Sequence, residues 1–242
     1  MDKVSFGHEE VEPAEKTRRV LGVFSSVASR YDLMNDLMSA GQHRLWKDMF
    51  VRRVRPRRGE KILDMAGGTG DVAFRLVRRG AQVTVGDINP DMLSVGIDRA
   101  RRRGLEGLVW AEENAEALSF GEASFDAFTI AFGIRNVADI PKALSEAHRV
   151  LKRGGRFHCL EFSQTRWPGF REAYQSYSRF LVPRLGRIVA RDADSYRYLV
   201  ESIERFPDMG SFAATIERAG FRQVRAEPIL GGLVAIHSGW KI

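Results

Sequence analysis

The short apolar run Ile62 to Ala66 breaks into Gly67-Gly68-Thr69-Gly70, and Asp71 then opens a stretch with Val72, Ala73, Leu76 and Val77 on one helical face. No other feature constrains the fold as much. Glycines let a chain turn sharply from a strand into a helix, and the new helix N-terminus then faces whatever lies beyond the strand end. The unit recurs. Val83 to Gly86 reads as a second strand with Pro90 placed to start a helix, and Leu108 to Ala111 and Phe125 to Ala131 read as the third and fourth. A helix from Ile140 to Leu151 stops at Gly154-Gly155, and Arg156 to Phe162 gives the fifth strand. A helix near Phe212 to Ala219 leads into Phe221 to Ile229, Gly231-Gly232 and Leu233 to Ser238, which predicts a closing hairpin. Such alternation predicts an α/β fold, a mostly parallel seven-stranded sheet with helices on both faces and an antiparallel C-terminal hairpin.

The chain has 242 residues and is 44% hydrophobic, enough for one sizeable core. Residues 1–16, rich in glutamate, are expected to be a flexible segment before a single domain over 17–242. Within it, 17–54 has helical spacing (Val20, Val23, Phe24; Leu45, Met49, Phe50) and reads as a cap, and 163–207 reads as an insertion on the substrate side. The insertion carries Trp167, Phe170, Tyr174, Tyr177 and Leu181 at three- and four-residue spacing, a stripe suited to core packing or to an apolar groove, with Arg171, Arg179 and Arg184 projecting elsewhere.

The formal charge of +7 comes mainly from arginines in 52–58 and 99–103. They fall where helices end before strands, so they complement helix dipoles, and they leave open an RNA-binding module as a second reading. The single cysteine, Cys159, excludes internal disulfides and suggests a reducing compartment. No signal peptide or membrane span is expected, so the sequence predicts a soluble, cytoplasmic protein that can still touch the inner face of a membrane.

Gly68, Gly70 and Ala73 satisfy the loose G-x-G-x-x-A fingerprint, which admits an NAD-binding oxidoreductase. Two acids, Asp64 and Asp71, flank the glycines and no cation lies within the loop. A pyrophosphate would be repelled there, whereas the cationic S-adenosylmethionine would be attracted, which favours Gly67, Gly68 and Thr69 as a methyl-donor loop. Asp87, at the end of the second strand, is placed to accept ribose hydroxyls, and Asn114-Ala115, after the third, to meet an adenine edge. After the fourth strand Ala131-Phe132-Gly133-Ile134-Arg135-Asn136 replaces the (Asp/Asn/Ser)-Pro-Pro-aromatic motif of base amino-methyltransferases, and Cys159 lies inside a strand. Nucleic-acid base chemistry is therefore not expected.

Tyr31-Asp32-Leu33-Met34-Asn35-Asp36-Leu37-Met38-Ser39, continuing through His43 to Trp46, and Arg149-Val150-Leu151-Lys152 through Gly154-Gly155 to Glu161-Phe162-Ser163 carry a family resemblance. So do the 66–71 and 132–137 phrases and the stretch from Asp194 to Pro207. From about Val20 onward the chain resembles the quinone-biosynthesis C-methyltransferases acting on demethylmenaquinol and 2-methoxy-6-polyprenyl-1,4-benzoquinol. The resemblance implies a class I S-adenosylmethionine-dependent fold and transfer of a methyl group to a ring carbon of a prenylated quinol. Such transfer gains from ionising a ring hydroxyl. Arg135 is expected beside that hydroxyl, with Tyr31 and Asn136 as hydrogen-bond partners, and His43 ranks below it as a base. Arg153 replaces a usual proline. Ala131 replaces a frequent serine, which leaves only a backbone contact to the donor there. The five histidines show no metal-ligand spacing, so no metal is expected. The same resemblance implies a prenylated quinol as partner and no nucleic acid. It leaves room for a peripheral membrane contact and for assembly as a homo-oligomer or within a quinone-biosynthesis complex.

Overall fold

The computed structural model describes residues 3–28, 31–164 and 193–242. The chain opens on a hairpin of β1 (Val4–Phe6) and β2 (Glu9–Val11), which pair antiparallel around Gly7. Residues 3–16 therefore hold a hairpin and the start of the first helix. Ser5 and Phe6 pair with Glu10 and Glu9, and Pro13 sets the first turn of α1 (Pro13–Val27), four residues before the expected cap. Glu15 and Arg19 add an ion pair at helical spacing, 2.6 Å apart. The cap continues with α2 (Tyr31–Ser39) and α3 (His43–Val54), whose Trp46, Phe50, Val51 and Val54 are buried.

The alternating part follows as β3 (Lys61–Met65), α4 (Asp71–Val77), β4 (Gln82–Asp87), α5 (Pro90–Arg102), β5 (Leu108–Glu112), β6 (Phe125–Ala131), α6 (Ile140–Val150) and β7 (Leu151–Phe162). The Asn89 side chain caps α5 by accepting from Met92 N–H, and Asp139 caps α6 in the same way through Lys142. After 193 come α7 (Ala193–Arg205), α8 (Met209–Arg218), β8 (Arg222–Ile229) and β9 (Val234–Trp240). The aromatic stripe from Trp167 to Leu181 and Arg171, Arg179 and Arg184 lie outside the described residues.

The sheet order is β5-β4-β3-β6-β7-β9-β8. The first five strands named are parallel, and β9 enters antiparallel between β7 and β8, as the C-terminal hairpin requires. β7 starts earlier than expected, at Leu151. Gly154-Gly155 form an irregularity inside the strand rather than a stop before it, and the register against β6 shifts from Phe125↔Leu151 to Ala127↔Arg156.

Alternate residues of each strand bury opposite faces. Ile62, Val83 and Val85 join Trp46 and Phe50 of α3, Leu76 of α4 and Tyr196 of α7 on one face. Leu63, Phe128 and Phe157 join Leu144 of α6 and Phe212 and Ile216 of α8 on the other. The strand order reverses between β3 and β6: β4 and β5 lie to one side and β7 to the other. A crevice opens outside the carboxyl ends at such a point.

Candidate active site

A cleft lies at that crevice, and its open space, together with the adjoining solvent, is about 740 Å³. Its floor is the loop after β3. Gly68 has φ +52°, and a Cβ there would come within 2.9 Å of the Met92 methyl; at Gly67 a Cβ would stand 2.6 Å from Val85 Cγ1. Across the switch point, a Cβ on Gly133 would lie 2.4 Å from Ala66 Cβ. These glycines let two strand ends and a helix converge under a ligand.

Asp87 sits beside the loop. Its Oδ2 accepts from Gly68 N–H at 2.8 Å and its Oδ1 from Asn89 N–H at 2.9 Å. It is 8% exposed, lines the cleft, and burial pushes its carboxyl up to about 6. A carboxylate has about four acceptor positions, so capacity remains for ribose hydroxyls. Asn114 and Ala115 also line this side. Asn114 Oδ1 is used within its own turn, accepting from Glu116 N–H at 2.9 Å, so its amide N–H groups are what it can offer a ligand. No helix follows it, and the residue caps a turn. Gly68, Asp87, Asn114 and Ala115 thus converge on one side of the cleft.

Thr69, Gly67 and Ala131 do not line it. The Thr69 hydroxyl is buried and accepts from the Arg99 guanidinium at 2.7 Å. Gly67 serves the turn. Ala131 packs against the core, and the turn it leads into brings Phe132 and Gly133 to the cleft wall.

The two acids flanking the loop differ from the sequence expectation. Asp64 is buried, accepts from Thr129 Oγ1 at 2.7 Å, and burial pushes it up to about 7. Burial alone would raise Asp71 too, but Lys47 at 2.9 Å and Arg75 outweigh it and hold the carboxyl well below the usual carboxylate range. Near pH 7 one acid is only about half ionised and the other is paired. Repulsion of a pyrophosphate by these two groups is therefore not what selects the donor. Lys47, from α3, was invisible to the loop's local sequence.

The other side of the cleft is the cap. Val20, Leu21 and Phe24 of α1 line it with Tyr31, Phe132 and Asn136. α1 is fastened at both ends. Asn89 Nδ2 donates to Leu21 O at 3.2 Å and Ser25 Oγ at 3.0 Å, while the buried Lys16 ammonium donates to Val137 O at 2.8 Å and Arg135 O at 3.4 Å. Burial lowers Lys16 to about 8. Sequence reasoning missed both ties. Asn89 before Pro90 signals only a helix cap, and Lys16 fell in the segment read as flexible.

Tyr31 faces the cleft, and burial pushes its phenol up to about 12, so it keeps its proton and acts as a donor. Arg135 does not line the cleft. Its guanidinium is 6% exposed and pairs with the fully buried Glu161 at 2.6 Å. It also donates to Phe132 O at 2.8 Å and contacts Ser202 Oγ at 3.3 Å. The expected place beside a substrate hydroxyl is thus corrected: Arg135 stands behind the wall, where it neutralises a buried carboxylate. Asn136, one residue on, does reach the cleft. His43 is buried against Asp36 at 2.9 Å, away from the cleft, and burial lowers its pKa. It is a packing residue. Burial likewise pushes the Cys159 thiol up, leaving it unreactive. Among the described residues no group of three or more His, Cys, Asp or Glu is placed to hold a metal, and no helix is long and apolar enough to cross a membrane.

A switch-point crevice with a glycine floor, an acid at the end of β4, an amide after β5 and an antiparallel β9 defines the class I methyltransferase architecture. Solved structures agree on the fold. A SAM-dependent methyltransferase from Thermotoga maritima, described as a possible histamine N-methyltransferase, matches with a TM-score of 0.67 and 18% identity, over 92% of this chain and 100% of that one. A SAM-dependent methyltransferase from Aquifex aeolicus matches with a TM-score of 0.64 and 14% identity, over 86% and 97%.

The chain belongs to the ubiE/COQ5 methyltransferase family, whose profile matches residues 12–241. It is 65% identical over the full length of both chains to a ubiquinone/menaquinone biosynthesis C-methyltransferase UbiE of Zymomonas mobilis. It is 54% identical to a mitochondrial 2-methoxy-6-polyprenyl-1,4-benzoquinol methylase of Oryza sativa, over 98% of this chain and 88% of that one. It is an S-adenosylmethionine-dependent C-methyltransferase.

Proposed function

We propose that this enzyme methylates a ring carbon of a prenylated quinol, demethylmenaquinol and/or 2-methoxy-6-polyprenyl-1,4-benzoquinol, without a metal. The observation that carries the reading is the full-length 65% identity to a C-methyltransferase of ubiquinone and menaquinone biosynthesis. The cleft supports it. Its cap side is apolar enough for an aromatic ring and is placed next to the donor side.

When bound, the donor supplies a methyl group on a cationic sulfur that departs as a neutral thioether. The buried Asp87 carboxylate, aimed at the cleft with acceptor capacity to spare, fits the ribose, and the Asn114 amide fits the adenine edge. Tyr31 and Asn136 face the acceptor and donate to its ring oxygen, which favours the ionised ring whose carbon is the better nucleophile. Arg135, paired with Glu161, anchors the loop that carries Asn136, and a water carries the ring proton away. A guanidinium is a poor direct base.

Methyl transfer from S-adenosylmethionine to each quinol class, assayed in parallel, tests the proposal. Turnover of at least one is expected, and none of either contradicts it. The acceptor's tail places the enzyme at a membrane surface as a peripheral protein; absence of co-sedimentation with anionic liposomes would remove that part.

A further inference from the structure

Asn136 faces the cleft, and its amide is held from behind. The Tyr198 hydroxyl donates to Asn136 Oδ1 at 3.1 Å, from 62 residues away in sequence. Tyr198 is 4% exposed and does not line the cleft. Its ring stacks on Phe6 of the N-terminal hairpin, with centroids 4.2 Å apart and planes 17° from parallel.

A primary amide can be turned either way, and here two neighbours decide. Asn136 Nδ2 lies 3.5 Å from Phe132 O. Turned over, the amide would set its oxygen against that carbonyl, acceptor facing acceptor. The oxygen is thus used by Tyr198. One N–H leans towards Phe132 at long range, and the other makes no hydrogen bond among the described residues, at a residue that lines the cleft. An amide that offers only N–H binds an oxygen with free lone pairs or negative charge and gains nothing from a donor hydroxyl.

We propose that Tyr198 is a positioning residue for methyl transfer: its hydroxyl locks Asn136 with N–H towards the acceptor's ring oxygen, so that the cleft prefers the ionised quinol to the neutral one. This rests on the quinol reading above. Burial raises the Tyr198 phenol further above its ordinary value, so it stays a donor at every working pH. The hairpin that supplies Phe6 is itself tied to α7, since His8 N–H donates to Glu201 Oε2 at 3.2 Å.

Tyr198→Phe, Asn136→Ala and the double variant test the proposal, with the parent enzyme assayed on both quinols. Tyr198→Phe keeps the stacked ring and removes one hydrogen bond. It is expected to lower kcat about five- to tenfold while KM for the donor and the melting temperature stay near the parent's. The acid limb of its pH–rate profile moves up by about half to one unit, because the ionised ring is less favoured. In the Asn136→Ala background the same substitution costs nothing more. Parent-like turnover of Tyr198→Phe or of Asn136→Ala overturns the proposal, and so does an equal loss in both backgrounds. Should Tyr198→Phe fail to fold, Phe6→Leu weakens the seat and leaves the hydroxyl. About a two- to threefold loss is then expected, absent in Asn136→Ala, and an equal loss in both overturns the proposal. A parent enzyme that binds donor but methylates no quinol fails the quinol reading itself, which is a different result.

Discussion

The two sides of the cleft are built by different means. The donor side is built of strand ends: Gly68, Asp87 and Asn114 each stand at or just after the end of one of three neighbouring strands, and each is placed by its own turn or by the adjacent strand end. The cap side is assembled from a distance. Lys16 ties α1 to Val137, Asn89 ties it to α5, and Tyr198 holds Asn136. A side made of strand ends moves only if the sheet moves, whereas a side held by single long-range hydrogen bonds can be reshaped one bond at a time.

That contrast predicts where substitutions act. The largest effect is expected behind the cap-side wall. Arg135→Ala leaves Glu161 buried without its partner, which costs about 3–5 kcal/mol of stability in denaturant unfolding. An exposed-residue value of a few tenths would contradict the buried pair. On the donor side, Asp87→Ala should leave the fold cooperative but weaken S-adenosylhomocysteine binding about 30- to 100-fold by calorimetry, since a charged acceptor is lost. Unchanged affinity would place the ribose elsewhere.

Acid should separate the two properties. Asp87 titrates near 6, so donor affinity falls as pH drops through 6 and the carboxylate is neutralised. Burial lowers His158 to about 3 from an ordinary 6.5, and the unfolded chain takes up a proton there that the folded chain refuses. The contribution of His158 to stability is therefore complete above 6.5 and declines as pH falls towards 3, while the raised Asp64 and Asp87 carboxyls act in the opposite sense. His158→Leu should flatten that decline and leave the affinity limb in place; an unaltered unfolding profile would contradict it. The smallest effect is expected at Gly68→Ala. The positive φ and the 2.9 Å approach to Met92 should cost about 1–2 kcal/mol, with donor binding weakened about tenfold.

The same contrast explains what the sequence could say. Seven strands in order, the closing hairpin and the donor-side acids and amide are written in contiguous runs and turn residues. The N-terminal hairpin was missed because β1 and β2 are three residues each, with Glu9 and Glu10 exposed, too short for alternation to show. The role of Gly154-Gly155 depended on the pairing partner, since paired glycines stop a helix or interrupt a strand equally well. Arg135 was misplaced by one layer. Its position after β6 was right, but Glu161, 26 residues away, decides which way the guanidinium turns. The electrostatics of the 64–71 loop changed for the same reason, because Lys47 reaches Asp71 from α3.

The central claim is that one cleft holds a methyl donor on its strand-end side and an ionised quinol ring under its cap. Transfer from S-adenosylmethionine carrying a 13C-labelled methyl, followed by NMR of the quinol product, tests it most directly. A label on a ring carbon, at the shift of an aryl methyl, is predicted. A label at the shift of a methoxy group, or no labelled quinol from an enzyme that binds the donor, would contradict it.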